Sequence, residues 1–313
     1  MELDEKNKFI FENLLFNARV SVKQLAKGLK ITKPAIVKRI QFLENEKFID
    51  RYDAIINWQK LPLLKKVYFV KKDNRNDVFE NKILSQKSVF SFITLVGIYT
   101  YQIWCFFKDL SQQKKFEMML GKNNWGSINI NELVFPKISF FDIQNKSEFM
   151  EFKDKDISLG KIDVTLLKYM AEGHGRDSFY EMSKILKIPY DSLHYHGKNL
   201  IAANYFSSIV AQPGSNKFTL QTNSLLIDCF NKSSSVKLFV LLKKTPKILS
   251  NAIGDNNKVL VHFLSQNQID YKETFSKILS LIPKTEIKEV LITHWENILL
   301  NNRYPLDYLL SFK

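Results

Sequence analysis

The chain has 313 residues and a formal net charge of +14, with 46 lysines and arginines against 32 aspartates and glutamates. With 45% hydrophobic residues it can bury real cores, and its length suits two ordinary domains or four small ones. Two cysteines, Cys105 and Cys229, exclude a disulfide framework or a cysteine metal cluster, and the charged start Met1 to Phe9 is no secretion signal. A cytoplasmic protein is expected, and the cationic surplus points to nucleic acid or an anionic surface as partner.

In chain order, Leu3 to Asn17 reads as an amphipathic helix. Val22, Leu25, Ala26 and Leu29 give the next helix an apolar face at helical spacing. Lys30 and Ile31 make a turn, Thr32 supplies an N-cap, and Pro34 falls in the first turn of a third helix, where a missing N–H costs little. Ile36, Ile40 and Leu43 form that helix's apolar face, and Lys33, Lys38, Arg39 and Gln41 lie on its other side. A helix packed by one face and basic on the other is what a major groove requires. Asn45 to Trp58 closes the helix and adds a short wing.

Leu3-Asp4-Glu5, Asn17-Ala18-Arg19-Val20-Ser21, Leu25-Ala26-Lys27, Lys38-Arg39-Ile40 and Leu43-Glu44 resemble the winged helix-turn-helix of the Lrp/AsnC (feast/famine) transcription regulators. The resemblance implies sequence-specific binding of double-stranded DNA. Lys23, Lys33 and Lys38 would then meet phosphates or groove edges, with Gln41 on the same helix. Arg39 would reach guanine O6 and N7, the commonest specific contact.

A strand over Lys65 to Val70 follows, then a helix over Asn76 to Ser85. Ser88 to Phe107 carries no charge and is long enough for a membrane span. Its β-branched and aromatic content favours a hairpin turning at Gly97 and Ile98. A helix over Leu110 to Leu120 and a strand over Ile130 to Phe135 complete a β-α-β-β-α-β order, the ferredoxin-like unit. In Lrp/AsnC proteins such a domain carries dimer contacts and often an effector site, which implies a homo-oligomer here. Gly97, Ile98 and Tyr99 fit the family's hairpin turn, but Thr100 replaces its usual aspartate. An amino-acid effector is therefore not expected.

Lys137 to Leu159 reads as a linker tethered by Phe140, Phe141, Phe149 and Phe152. The pattern then restarts. Leu159, Ile162, Leu166, Leu167 and Met170 mark a helix, Phe179 to Leu186 a second, Ile188-Pro189 the turn and Asp191 to Leu200 a third. Met182, His196, Leu200 and Gly254 lie 157 residues after Leu25, Arg39, Leu43 and Gly97. Another β-α-β-β-α-β run follows, from strand Leu225 to Phe230 through to strand Ile287 to His294. The expected class is α+β, with two tandem modules of winged helix-turn-helix plus ferredoxin-like domain. The expected division is 1–60, 61–137, a linker at 138–158, 159–222, 223–296 and a tail at 297–313. The arrangement resembles archaeal-type tandem members of the family.

The two copies differ. Tyr195 and His196 stand where the first has Lys38 and Arg39, and Gly197 follows at a cost of about 1 kcal/mol of helix stability. Ser192, Tyr195, His196 and Lys198 define a second candidate DNA-binding helix, but the second module is expected to act mainly as scaffold or pseudo-dimer partner. Siroheme decarboxylases share this domain arrangement, so fold alone leaves catalysis open. His174, His194, His196, His262 and His294 are the histidines to weigh. His194 and His196 sit about 200° apart on one helix and make no ligand pair. No Walker loop, nucleophile elbow or His-Glu-x-x-His run is present. The reading is a regulator without enzyme activity, cofactor or metal. Its alternatives are a self-association protein with weak DNA binding, and a siroheme-decarboxylase-like enzyme.

Overall fold

The computed structural model describes residues 3–73, 75–121, 125–134, 157–214, 221–245 and 247–300. The expected linker at 138–158 falls outside the described residues except for its last two, and the tail is described only through Leu300. The first half runs α1 (Glu5–Phe16), α2 (Val22–Leu29), α3 (Lys33–Asn45), β1 (Ile49–Ile56), β2 (Leu64–Val70), α4 (Asp77–Leu84), β3 (Val89–Gly97), β4 (Tyr101–Phe107), α5 (Leu110–Leu120) and β5 (Trp125–Val134). The second runs α6 (Lys161–Ala171), α7 (Phe179–Leu186), α8 (Tyr190–Ala202), β6 (Phe206–Pro213), β7 (Gln221–Cys229), α9 (Lys232–Leu242), β8 (Ile248–Gly254), β9 (Lys258–Ser265), α10 (Gln268–Leu279) and β10 (Ile287–Leu300). No described helix is long and apolar enough to cross a membrane, and Ser88 to Phe107 is the β3–β4 hairpin.

These elements form two compact units, and each unit draws on both halves of the chain. The described residues up to Lys60 join those from Ile157 to Gly214, while Leu61 to Val134 join Gln221 to Leu300. Each compact unit is therefore discontinuous in sequence.

In the first unit both copies of the helix-turn-helix start and stop on the same devices. Ser21 and Gln24 form a capping box on α2, and Ser178 and Glu181 form one on α7. Lys30 and Lys187 take the left-handed conformation that ends those helices, with φ of 52° and 54°. Thr32 caps α3 through its hydroxyl, whereas Pro189 offers α8 no side-chain cap. The wing strands pair with each other: β1 runs antiparallel to β6, from Ile49↔Pro213 to Ile56↔Phe206. The flanking contacts are reciprocal. Ala18 N donates to Ile209 O at 2.7 Å and Gly175 N to Tyr52 O at 2.8 Å, and 18 and 52 map onto 175 and 209 in the 157-residue register.

In the second unit both βαββαβ runs are present, and their strands join. The strands close a barrel in the order β10-β3-β4-β2-β5-β8-β9-β7. The expectation of two separate ferredoxin-like sheets is corrected here. Edge β5 pairs with edge β8, and β10 pairs with β3. A barrel removes the free edges that a lone sheet must protect. Closure also explains the strand lengths. β10 runs six residues past His294 because it pairs with β7 over Ile287 to His294 and with β3 over Thr293 to Leu300. The strand-edge route to a homo-oligomer is thus used within the chain.

The hairpin glycines sit at these seams. Gly97 is opposite Thr293 and Gly254 opposite Ile130. A Cβ on Gly254 would lie 2.7 Å from Asn129 O, and one on Gly97, at φ 139°, would lie 3.2 Å from Ile292 O. Close backbone approach accounts for both glycines. Side chains on one face of each sheet pack under helices: Tyr68, Tyr101 and Phe107 with Phe116, and Leu225, Val259 and Phe263 with Leu238 and Ile278.

Candidate nucleic-acid interface

Helices α2 and α3 pack through Leu25, Ala26, Ile36, Ile40 and Leu43, all buried. That places Lys23, Lys33, Lys38 and Gln41 in solvent, together with Lys27 and Lys30. From Val22 to Gln41 there are five lysines, Arg39 and no carboxylate. Phosphate contacts need such a surface, because each cation that meets a phosphate releases condensed counterions.

Arg39 does not share this face. Its Nη1 donates to Asp4 Oδ1 and Oδ2 at 2.9 and 2.8 Å and to Asn7 Oδ1 at 2.8 Å. Asp4 is also the N-cap of α1, where Oδ1 accepts the Asn7 N–H at 2.7 Å. Burial opposes the charge on Asp4, but Arg39 and the Asn7 N–H outweigh it and hold its carboxyl below the usual range. The guanidinium assigned to guanine by sequence is engaged at the foot of α1.

The second copy repeats this clamp with other residues. His196 Nδ1 is 2.7 Å from Asp163 Oδ1, and Asp163 is a buried acid in the first turn of α6. His196 therefore faces inward too. Gly197 also has a packing reason: a Cβ there would come within 2.5 Å of the Phe179 ring. Of the second candidate set, Tyr195 and Lys198 are exposed and Ser192 is half-buried.

Two arginines in the same register, Arg19 and Arg176, tie the two helix-turn-helix copies together. Arg19 donates to Gly175 O and Asp177 O and lies 5.6 Å from the Phe179 ring centroid. Arg176 donates to Glu44 Oε1 at 3.1 Å and Tyr52 OH at 2.8 Å, and Tyr52 OH donates to Glu44 Oε1 at 2.6 Å. Burial first, then the bond to Glu44, raises the Tyr52 phenol well above its usual value. Neither arginine's role was read from sequence.

The barrel holds the second cluster of chemistry, on the strand faces turned away from the helices. Trp295 Nε1 donates to Ser224 Oγ at 2.6 Å, and Ser224 Oγ to Gln102 Oε1 at 3.4 Å. Gln102 Nε2 donates to His262 Nε2 at 3.0 Å, which leaves His262 Nδ1 to donate to Ser250 Oγ at 2.7 Å. Trp104 lies edge-on to His262 at 5.6 Å. Burial pushes the His262 imidazole down to a pKa of about 3. The remaining histidines are scattered: His294 meets Asn223 at 2.6 Å in the barrel, while His174 stacks on Tyr169 and His194 on Tyr190.

No protein-family model matches the chain, and no curated protein sequence matches it. Solved structures do. The siroheme decarboxylase NirDL is similar over 98% of this chain and 99% of its own, with TM-score 0.63 and 10% identity. The same decarboxylase in co-complex with an iron-uroporphyrin III analogue gives TM-score 0.64 at 9% identity, covering 98% and 97%. What is shared is the fold. Transcription regulators are similar over less than half of the chain. The regulator NMB0573 of Neisseria meningitidis, in complex with L-Met, covers 47% of this chain and 95% of its own at 19% identity and TM-score 0.38. AsnC of E. coli covers 42% and 94% at 15% identity and TM-score 0.38.

Proposed function

We propose that this chain is a DNA-binding regulator in which α3 of the first module enters the major groove. The observation that carries the reading is the exposure of Lys23, Lys33 and Lys38 within a stretch, Val22 to Gln41, that holds no carboxylate, with no ion pair to any of the three among the described residues. The second module supports it as scaffold, because the β1–β6 ladder and the Arg19 and Arg176 contacts hold the two copies together. The test is a mobility shift with a pool of duplex fragments from mixed genomic DNA. Retention of a subset of fragments at physiological salt supports the reading, and no retained fragment at any salt refutes it.

A second reading is a tetrapyrrole enzyme. Two observations favour it: the full-length likeness to NirDL, and a buried imidazole flanked by Trp104 and Trp295. Both His262 nitrogens are already hydrogen-bonded within the barrel, so we rank this reading second. An absorbance titration with sirohaem separates the two. A saturable shift of the Soret band favours the enzyme.

A further inference from the structure

Helix α8 turns a different chemistry outward. In the 157-residue register Tyr190 stands where α3 has Lys33, and Tyr195 where it has Lys38. Both rings are exposed, Tyr195 by 64%, and Tyr180 on α7 is exposed by 58%. The Tyr190 ring is held in place. His194 lies 12° from parallel to it with centroids 5.6 Å apart, and Phe179 meets His194 edge-on at 5.7 Å. The row Phe179–His194–Tyr190 ends on an exposed ring.

Cations lie on or beside the same two helices. Lys184 Nζ is 4.1 Å from the Tyr180 centroid, and Lys187 and Lys198 are exposed. The carboxylates between Phe179 and Lys198 are Glu181 and Asp191. Glu181 is engaged in the α7 cap, accepting from Ser178 N and Oγ at 2.8 Å each.

Duplex DNA hides the faces of its bases, whereas a single strand offers them to aromatic side chains. We propose that the exposed surface of α7 and α8 binds single-stranded nucleic acid, with bases stacked on Tyr190 and Tyr195, on two sides of α8, and with Lys184, Lys187 and Lys198 meeting the phosphates. The proposal stands apart from duplex recognition by α3. It accounts for the exchange of two lysines for two tyrosines at matched positions of a surface with the same scaffold.

The experiment uses the full chain carrying K33A/K38A, so that the α3 face does not mask the signal. Fluorescence anisotropy is read with labelled oligo(dT), oligo(U) and a duplex of equal length. The parent binds one or both single strands more tightly than the duplex, and the two homopolymers distinguish DNA from RNA as the source. Adding Tyr190→Ala and Tyr195→Ala weakens single-strand binding by about fivefold or more per ring. Tyr190→Phe with Tyr195→Phe keeps the rings and the affinity. Both positions are on the surface, and an unchanged thermal melt verifies folding. Three results overturn the proposal: no single-strand binding by the parent, unchanged affinity in the alanine variant, or equal losses in the phenylalanine and alanine variants. The duplex reading fails separately, through wild-type protein that ignores duplex DNA.

Discussion

Arg39 and Asp4 hold each other across two helices. The guanidinium of α3 meets both carboxylate oxygens of the residue that caps α1. This contact ties α3 to the start of α1, and His196 with Asp163 repeats it in the second copy.

Arg39 is therefore expected to act as a positioning residue. Arg39→Ala should lower stability by no more than about 1 kcal/mol, because the pair is partly exposed. Asp4→Ala also removes the cap and should cost about 0.5–2 kcal/mol. Both variants should weaken duplex binding while leaving its salt dependence almost unchanged, since no phosphate contact is lost. Denaturant melts and anisotropy at several salt concentrations measure this. A slope flattened by Arg39→Ala would restore the arginine to the DNA.

The acid limb of stability should have two causes. His262 is buried and neutral, with its pKa moved from 6.5 to about 3. The unfolded chain takes up this proton first as pH falls, so stability present above pH 6.5 is lost between 6.5 and about 3. Asp4 and Glu117 act lower on the scale. Burial opposes the charge of Glu117, but Lys66, Gln113 and Tyr68 overcome it and hold its carboxyl down. Carboxylates of this kind stabilise above the ordinary value near 4 and lose that contribution below it. Melting temperature against pH should fall in both windows. His262→Phe should lower the plateau and remove the upper fall, and Glu117→Gln should reduce the lower one.

The barrel seam makes Gly254 sensitive to a single methyl group. Gly254→Ala places a Cβ against the Asn129 carbonyl and Ile128, and should cost about 1–3 kcal/mol. Gly121→Ala meets nothing within 4 Å, so its cost is confined to its positive φ. Chemical denaturation of the two variants should rank Gly254→Ala as the more damaging.

Much of this fold was legible locally. Thr32, Pro34 and the spacing of Leu25, Ile36, Ile40 and Leu43 specify a helix-turn-helix by themselves. The 157-residue offset of Gly97 and Gly254 exposed the repeat. Barrel closure was not legible, because β5 meets β8 and β10 meets β3 across long stretches of chain, and edge pairing leaves no periodic mark. The pairing of Arg39 with Asp4 was hidden for a related reason. A helical wheel gives the outward side of α3 but not which acid of α1 waits beside it. Gly197 looked like a cost to α8 until Phe179 was seen to occupy the space of its Cβ.

The lysines of α2 and α3 are expected to meet DNA. The direct measurement is affinity for one duplex at several salt concentrations, for wild type and for Lys33→Ala with Lys38→Ala. Each neutralised phosphate contributes roughly 0.9 to the slope of log affinity against log salt. The double variant should bind more weakly and flatten that slope by up to about two units. Equal affinity and an unchanged slope would show that these lysines do not meet the phosphates.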